Sequence, residues 1–460
     1  MGYSITVHAA MFGWLALVPV LFALLPARRA VLSGLLIGWL FLPNAVYPID
    51  GLPDYTKLSA TTIGVLVWAL VFDFKSFTHL RPRWFDVPML LWVFGPFVSS
   101  INAGLGPYDG LSSILNQIIA WGAPYVLGRA YFRDPAALRE LALGVFIGAL
   151  VYLPMVAFEI RMSPQLHTWV YGFHQHDFIQ SRRGDLWRPT VFMQHGLAVS
   201  MFMGVAGVLG FWLWRSGSVR AIRGVPMSWL TLIVLAVTAL CSSVGATVLA
   251  VCGCAVLPIA RLTRTGVVVL AIAAAPFAYI GARAGLGWTG QEIVDLAREI
   301  NQWRAASLQV RLNSENGAIR HMSASSFLLG ESWFTIAGQR IEDGGSAVVA
   351  DGFWMIAFVR YGMVGLLSVT TMLCLPCILC ARRLPVAVWK HPLVAPCVAL
   401  AVVAALSMVD NLFNAMLNPI FTAAGAAALG VAGAPRTGIA ASPAGLARPG
   451  EGPVLSSGTR

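Results

Sequence analysis

The stretch DGFWMIAFVRYGMVGLL, Asp351 to Leu367, lies where a 69-residue polar segment (282–350) runs back into a hydrophobic helix. Working outward from it, hydrophobic runs recur to both ends of the 460-residue chain, at 3–25, 30–49, 58–72, 87–101, 111–128, 141–158, 191–214, 225–241, 244–260, 265–281, 352–379, 392–410 and 412–432. A hydrocarbon core of roughly 30 Å needs about 20 apolar residues per helix. With 58% hydrophobic and 11% charged residues and a mean hydropathy of +0.74, the chain is too apolar for a soluble protein. The expectation is an all-α polytopic helical bundle of about 12–13 spans, occupying residues 1–432, followed by a disordered Pro, Gly and Ala-rich tail, 433–460. Pro19, Pro96, Pro124, Pro154 and Pro376 within the runs predict kinks.

Lys and Arg placement predicts orientation. Nineteen of the 31 basic residues fall in alternate connections, among them Arg28 and Arg29, Arg81 and Arg83, Arg129 to Arg139, and Arg382 and Arg383. These connections read as cytoplasmic, which puts the N-terminus outside and the C-terminus inside. The opposite connections hold 15 of the 20 acidic residues. The net charge of +11 is therefore a topology signal and gives no argument for nucleic acid as a partner. The first run lacks a basic leader and a small-residue cleavage site, so it reads as a retained helix. All seven cysteines read as lying in apolar helices, none of them in the two long outer connections, and no disulfide framework is implied.

Two outer connections are too long to be simple links. In the first, 159–188 (EIRMSPQLHTWVYGFHQHDFIQSRRGDLWR), aromatic side chains including Trp187 alternate with Arg161, His167, His174, His176, Arg182, Arg183 and Arg188. Aromatic faces suit sugar rings and guanidinium forks suit phosphate. The same pattern also suits an interfacial aromatic belt. Pro189 fits the first position of a helix, which would set Arg188 at its mouth and His195 on the same face about 10 Å below. That pair could form an anion site with an acid, base or donor beneath it, or be a snorkelling Arg and a packed His. The second connection, 282–350, opens with a surface helix. Thr289 and Glu292 read as its capping box, and Ile293, Leu296, Ile300 and Trp303 as its apolar stripe. Arg304, Arg311, Glu315, Arg320 and His321 follow.

These segments resemble the O-antigen ligase and polymerase superfamily of bacterial envelope glycosyltransferases. Its members commonly re-enter the membrane through His-Asn-x-Tyr-Leu-x-x-Leu-x-Glu-x-Gly-x-x-Gly. Here Gly362 and Gly365 match, Trp354, Met355 and Phe358 keep the apolar or aromatic character, and FLLGESWF is similar to the preceding Leu-Gly-x-Gly turn. QVRLNSENGAIR resembles the family's Arg-bearing helix, making Arg311 the counterpart of its substrate-binding arginine. WRPTVFMQHGLA resembles the Arg segment of the earlier loop, pointing to Arg188 and His195. SSVGA (242–246) is similar to a Ser-rich turn, and Arg161 to Gly172 fits an Arg-x10-Gly pattern. Asp351 stands where the family has His, and Arg360 where it has Glu.

The resemblance implies an inverting, metal-independent glycosyltransferase without cofactor, in the bacterial inner membrane. Its donor would be an undecaprenyl-pyrophosphate-linked glycan, and its further partners membrane lipids, a flippase and a chain-length regulator. Asp351 or His195 would serve the acceptor hydroxyl, and Arg188, Arg311, Arg161, Trp187 and Arg320 would bind pyrophosphate or glycan. Asp351 in place of His favours a polymerase of exopolysaccharide or O-antigen repeat units over a ligase. The competing class is a lipid-linked glycan transporter, for which repeated halves would be expected.

Overall fold

The computed structural model describes residues 2–183, 186–300, 302–331, 342–343, 346–347 and 352–434. The protein is an all-α bundle, with four two-stranded hairpins in its connections among the described residues. In chain order the helices are α1 (Ile5–Leu24), α2 (Ala27–Phe41), α3 (Lys57–Thr78), α4 (Val87–Asn102), α5 (Pro107–Gln117), α6 (Ala123–Tyr131), α7 (Pro135–Met162) and α8 (Leu166–Tyr171). They continue with α9 (Gly196–Arg215), α10 (Met227–Leu240), α11 (Val244–Thr263), α12 (Val267–Ile280), α13 (Gln291–Ile300), α14 (Gln302–His321) and α15 (Ala324–Leu329). The last three are α16 (Phe353–Arg383), α17 (Ala395–Asp410) and α18 (Pro419–Ala432).

Each of the thirteen hydrophobic runs contains helix, but the runs are not thirteen equal spans. Among the described residues, eight helical segments are long and apolar enough to cross a membrane: Ile5–Leu24, Lys57–Thr78, Trp84–Asn102, Pro135–Met162, Gly196–Arg215, Val244–Thr263, Val267–Gly285 and Phe353–Arg383. Helices α10, α17 and α18 are apolar but shorter. The run 30–49 stops being helical at Phe41 and turns into a hairpin of β1 (Val46–Ile49) and β2 (Leu52–Thr56). The run 111–128 is interrupted by a π-turn, Ile118–Gly122, between α5 and α6. A 14-residue helix rises only about 21 Å. Almost every residue of α17 and α18 is buried by other helices, so these two meet protein instead of lipid and need not match the hydrocarbon thickness.

Packing follows from residue size. The centre holds α9, α17 and α18, rich in Gly and Ala, and neighbours approach closely there. A Cβ on Gly207 would overlap Leu235 of α10, and one on Gly210 would overlap Phe146 of α7. The outer ring, in contrast, exposes large apolar side chains such as Phe12, Val71, Phe94 and Val151. Such a belt is unfavourable in water and suits lipid, so composition, helix length and surface agree on a multi-pass membrane protein.

The basic connections collect at one end of the bundle. There Arg28 and Arg29 pair with Glu140, Arg129 with the buried Asp86, Arg83 donates to Gly433 O and Arg383 to Ala432 O. The other end carries the N-terminus of α1, whose Ser4 Oγ donates to Tyr171 O, and both long connections. We call it the loop end.

Helix α16 is broken inside the bundle. Gly362 adopts φ 63° and ψ −169°, which removes it from the helical ladder. The turn after α15 fills the gap: Glu331 N donates to Val359 O at 2.8 Å, and Gly330 (φ 80°) lies so close to Arg360 that a Cβ would overlap its backbone. Irregular backbone at this depth survives because another segment of the chain satisfies it. FLLGE thus packs against the Gly362 break, a relation that joins two of the motifs quoted above.

Candidate functional site

The loop end is organised by one carboxylate. Glu159, in the last turn of α7, is fully buried. Its Oε1 accepts from Leu166 N at 3.0 Å, and its Oε2 accepts from Thr190 N at 2.8 Å and Val191 N at 2.7 Å. Tyr152 Oη accepts from Phe192 N, Lys57 Nζ donates to Phe192 O at 2.7 Å, and Gln175 Nε2 donates to Val191 O and Met193 O. Side chains from α3, α7 and the first long loop therefore satisfy the peptide groups of 190–193, so no helix is needed there. Pro189 does not start a helix, contrary to its sequence context. Helix α9 starts at Gly196, with His195 as its N-cap, and Val191 sits at φ 47°. That region costs a β-branched residue about 1–3 kcal/mol. The Glu159 and Gln175 contacts hold it there.

Arg188 comes close to Gly196, the residue after His195, by a different route. The Arg188 stem lies across Gly196, where a Cβ would overlap its Cγ. Its Nη2 donates to Ser242 O at 3.0 Å, and Ser242 forms the α10–α11 turn with φ 56°. His195 Nδ1 accepts from Leu197 N at 3.0 Å, and its ring meets that of His176 edge-on at 4.5 Å. Trp187 lies in a hairpin opposite Arg182 and packs on Phe178 at 5.2 Å between ring centroids. Arg161 is exposed in the last turn of α7.

The second long loop is pinned by a buried ion pair. Arg283, in a π-turn after α12, meets Glu315 of α14 at 2.8 Å, and both are almost fully buried. Glu315 also accepts from Tyr279 Oη and Trp354 Nε1, while Arg283 donates to Trp288 O, Leu312 O and Asn316 Oδ1. A buried pair needs such additional partners to offset its desolvation. The capping box expected from Thr289 does not close. Helix α13 begins two residues later, and Glu292 instead accepts from Trp288 Nε1 at 2.8 Å. Val294 of α13 packs against Ala305 and Leu312, whereas Ile293 and Leu296 are exposed, leaving an apolar stripe that suits a membrane surface. Arg311 Nη1 donates to Phe413 O at 2.9 Å. Arg320, nine residues on and so about 180° around the helix, is exposed and does not join Arg311.

The second loop and Gln194, six residues past the end of the first, reach the same short connection, residues 411–418 between α17 and α18. Its carbonyls act as a row of acceptors: Asn411 O takes Trp354 N, Phe413 O takes Arg311 Nη1, Asn414 O takes Phe353 N, and Leu417 O takes Gln194 Nε2 at 3.4 Å. Phe413 and Leu417 are four residues apart, at most about 14 Å of chain. Asp410, at the start of this connection, accepts from Asn414 Nδ2 at 2.8 Å and lies in the field of Arg311. A narrow cleft of about 10 Å³, room for little more than one water, opens beside it, lined by Trp121, Met201, Asp410, Asn411, Leu417 and Asn418 among others. The Trp and Phe of the long loops do not line this cleft among the described residues.

The sequence expectations thus fare unevenly. The Arg188 stem lies against Gly196, the residue that follows His195. Arg311 joins the 411–418 connection that Gln194, the residue before His195, also touches. Arg161 and Arg320 are solvent-facing. Asp351 and the tail from 435 onward lie outside the described residues, although Gly352, next to Asp351, packs on Leu412 O. Sequence reasoning passed over Glu159, Lys57, Arg283 and Asp410. The available signal was their charge inside or beside apolar runs. The run 412–432 also hid a connection, because Leu412, Phe413, Met416 and Leu417 keep its hydropathy high. No family model matches the chain, and no curated protein matches it in sequence.

Proposed function

We propose that this protein is a membrane glycosyltransferase of the O-antigen ligase and polymerase kind. In this reading the loop end faces outward from a bacterial cytoplasmic membrane, with the N-terminus outside and the C-terminus in the cytoplasm. The donor is a glycan on an undecaprenyl-pyrophosphate-type carrier, and the product is a longer exopolysaccharide or O-antigen chain. The observation that carries the reading is that Arg311 of the second long loop donates to Phe413 O in the same connection whose Leu417 O takes Gln194, six residues after Arg188.

Transfer breaks the bond between the anomeric carbon and pyrophosphate and forms one to the acceptor oxygen from the opposite face. The electron pair leaves with the pyrophosphate, and the hydroxyl proton passes to a base. Arg188 and Arg311 neutralise the pyrophosphate as its charge grows, which lowers the barrier because that charge is greatest in the transition state. Asp351 takes the proton, with His195 as the other candidate. His195 Nδ1 accepts from Leu197 N, so in this role the ring would act through Nε2. Asp351 in the position of the family's His favours chain extension over transfer by a ligase to another acceptor.

A transporter of lipid-linked glycans is the second reading, favoured by the break in α16 at Gly362, since discontinuous helices often mark transport sites. Purified protein in vesicles, given carrier-linked oligosaccharide, separates the two. Release of carrier pyrophosphate together with longer glycan supports transfer. Movement of intact donor across the bilayer without that release overturns it.

A further inference from the structure

Helices α2 and α7 leave between them a groove of about 640 Å³ that runs from Arg28 and Arg29 to Phe41. Its walls are Leu32, Leu36 and Leu40 on one side and Leu143, Ile147 and Val151 on the other. Ile147 and Val151 are 40% and 54% exposed, so the groove opens on the lipid-facing surface. Charge is confined to one end. There Arg28 Nε and Arg29 Nε each meet a different oxygen of Glu140 at 2.7 Å, Arg28 Nη1 reaches Asp134 at 3.5 Å, and Arg139 Nε donates to Ser218 O at 3.0 Å. Three guanidinium groups face two carboxylates, a surplus of one positive charge. Each guanidinium carries five donors, and these contacts use only one or two of them.

The dimensions select the occupant. From Leu32 to Phe41 the apolar wall rises about 14 Å at 1.5 Å per residue. One leaflet is half of a hydrocarbon core of roughly 30 Å. An acyl chain entering from the leaflet at the arginine-rich end would therefore fill the groove while its phosphate met the guanidinium forks, which bind phosphate oxygens in pairs. We infer that this groove is a binding site for an anionic phospholipid, with the phosphate on Arg28, Arg29 and Arg139. The site stands apart from the proposed glycan chemistry and does not depend on it.

Native mass spectrometry of the full-length protein, titrated with phosphatidylglycerol and with phosphatidylcholine of the same chain length, tests the assignment. The natural protein should retain phosphatidylglycerol preferentially. Arg29→Gln and Arg139→Gln should each cut that preference about fivefold, the usual contribution of one basic residue near an anionic lipid surface. Ile147→Trp, which fills the groove without touching its charge, should lower retention of both lipids. Glu140→Gln removes the competing carboxylate and should raise phosphatidylglycerol retention, so a poorly folded groove mutant leaves the proposal open to refutation. Equal retention of the two lipids by the natural protein, or no gain in Glu140→Gln, overturns it.

Discussion

Arg188 Nη2 donates to Ser242 O at 3.0 Å, tying the end of the first long loop to the turn between α10 and α11. The residues are 54 apart in sequence, and the contact holds the guanidinium at the loop end while its stem crosses Gly196. Ser242 reaches this position only with φ at 56°, a conformation that few non-glycine residues adopt.

The crossing makes Gly196 a sensitive reporter of Arg188. Gly196→Ala should leave helix α9 intact, since Ala is the better helix former, yet push the Arg188 stem aside. Carrier-pyrophosphate turnover should then fall as far as in Arg188→Ala, while thermal stability in detergent changes by less than about 2 kcal/mol. Turnover at the natural level in Gly196→Ala would remove Arg188 from the site.

Much of the bundle was legible in the sequence, and the reason is general. Lipid-facing helices such as α1 and α3 must be apolar over their own length, so hydropathy alone locates them. The run 392–410 located α17 closely, whereas the start of α18 was missed because a buried connection such as 411–418 can be as apolar as a span. The site was less legible. Arg188 and His195 stood out as charged or titratable residues beside Pro189 in a loop otherwise patterned for sugar and phosphate. How they are placed depends on Glu159, a residue 31 positions before Thr190 whose role no local pattern reveals.

Glu159 should therefore be a stability determinant. Removing its carboxylate in Glu159→Ala leaves the N–H groups of Leu166, Thr190 and Val191 without acceptors, at about 1–3 kcal/mol each when buried. The expected outcome is a large drop in melting temperature, with earlier proteolysis near 189–195 than elsewhere. Glu159→Gln keeps one acceptor oxygen fully available and should lose less. Equal stability of all three proteins would show that the loop is held by other contacts.

A pH dependence follows from His167. Burial pushes its pKa down from 6.5 to about 4, with the charges of Lys57 and His174 acting in the same direction. The neutral ring satisfies both neighbours: Nδ1 donates to Phe173 O at 2.8 Å, and Nε2 accepts from Asn44 N at 3.4 Å. An unfolded chain binds a proton here below pH 6.5 that the folded protein refuses until about 4. Stability from this group is thus complete above 6.5 and is lost as pH falls toward 4. Melting temperatures of natural protein and His167→Gln between pH 7.5 and 4.5 should converge toward the acid end, because Gln cannot charge. Parallel curves would show that His167 does not contribute.

The roles of Arg311 and Asp351 are separable by conservative changes. Arg311 donates to Phe413 O through a planar fork, a geometry that Lys cannot reproduce although it keeps the charge. Arg311→Lys should fold normally and lose most polymer formation, as should Arg311→Ala. Asp351→Asn should still bind the carrier but transfer glycan roughly 100-fold more slowly, the usual loss when a general base is removed. Asp351→His is the sharper test, because it restores the residue of the resembled family. Activity well above that of Asp351→Asn would support positional equivalence. Full polymer yield from Asp351→Asn would relieve Asp351 of any proton-accepting role and leave His195 Nε2 as the base, a role that His195→Gln would then test by the same assay.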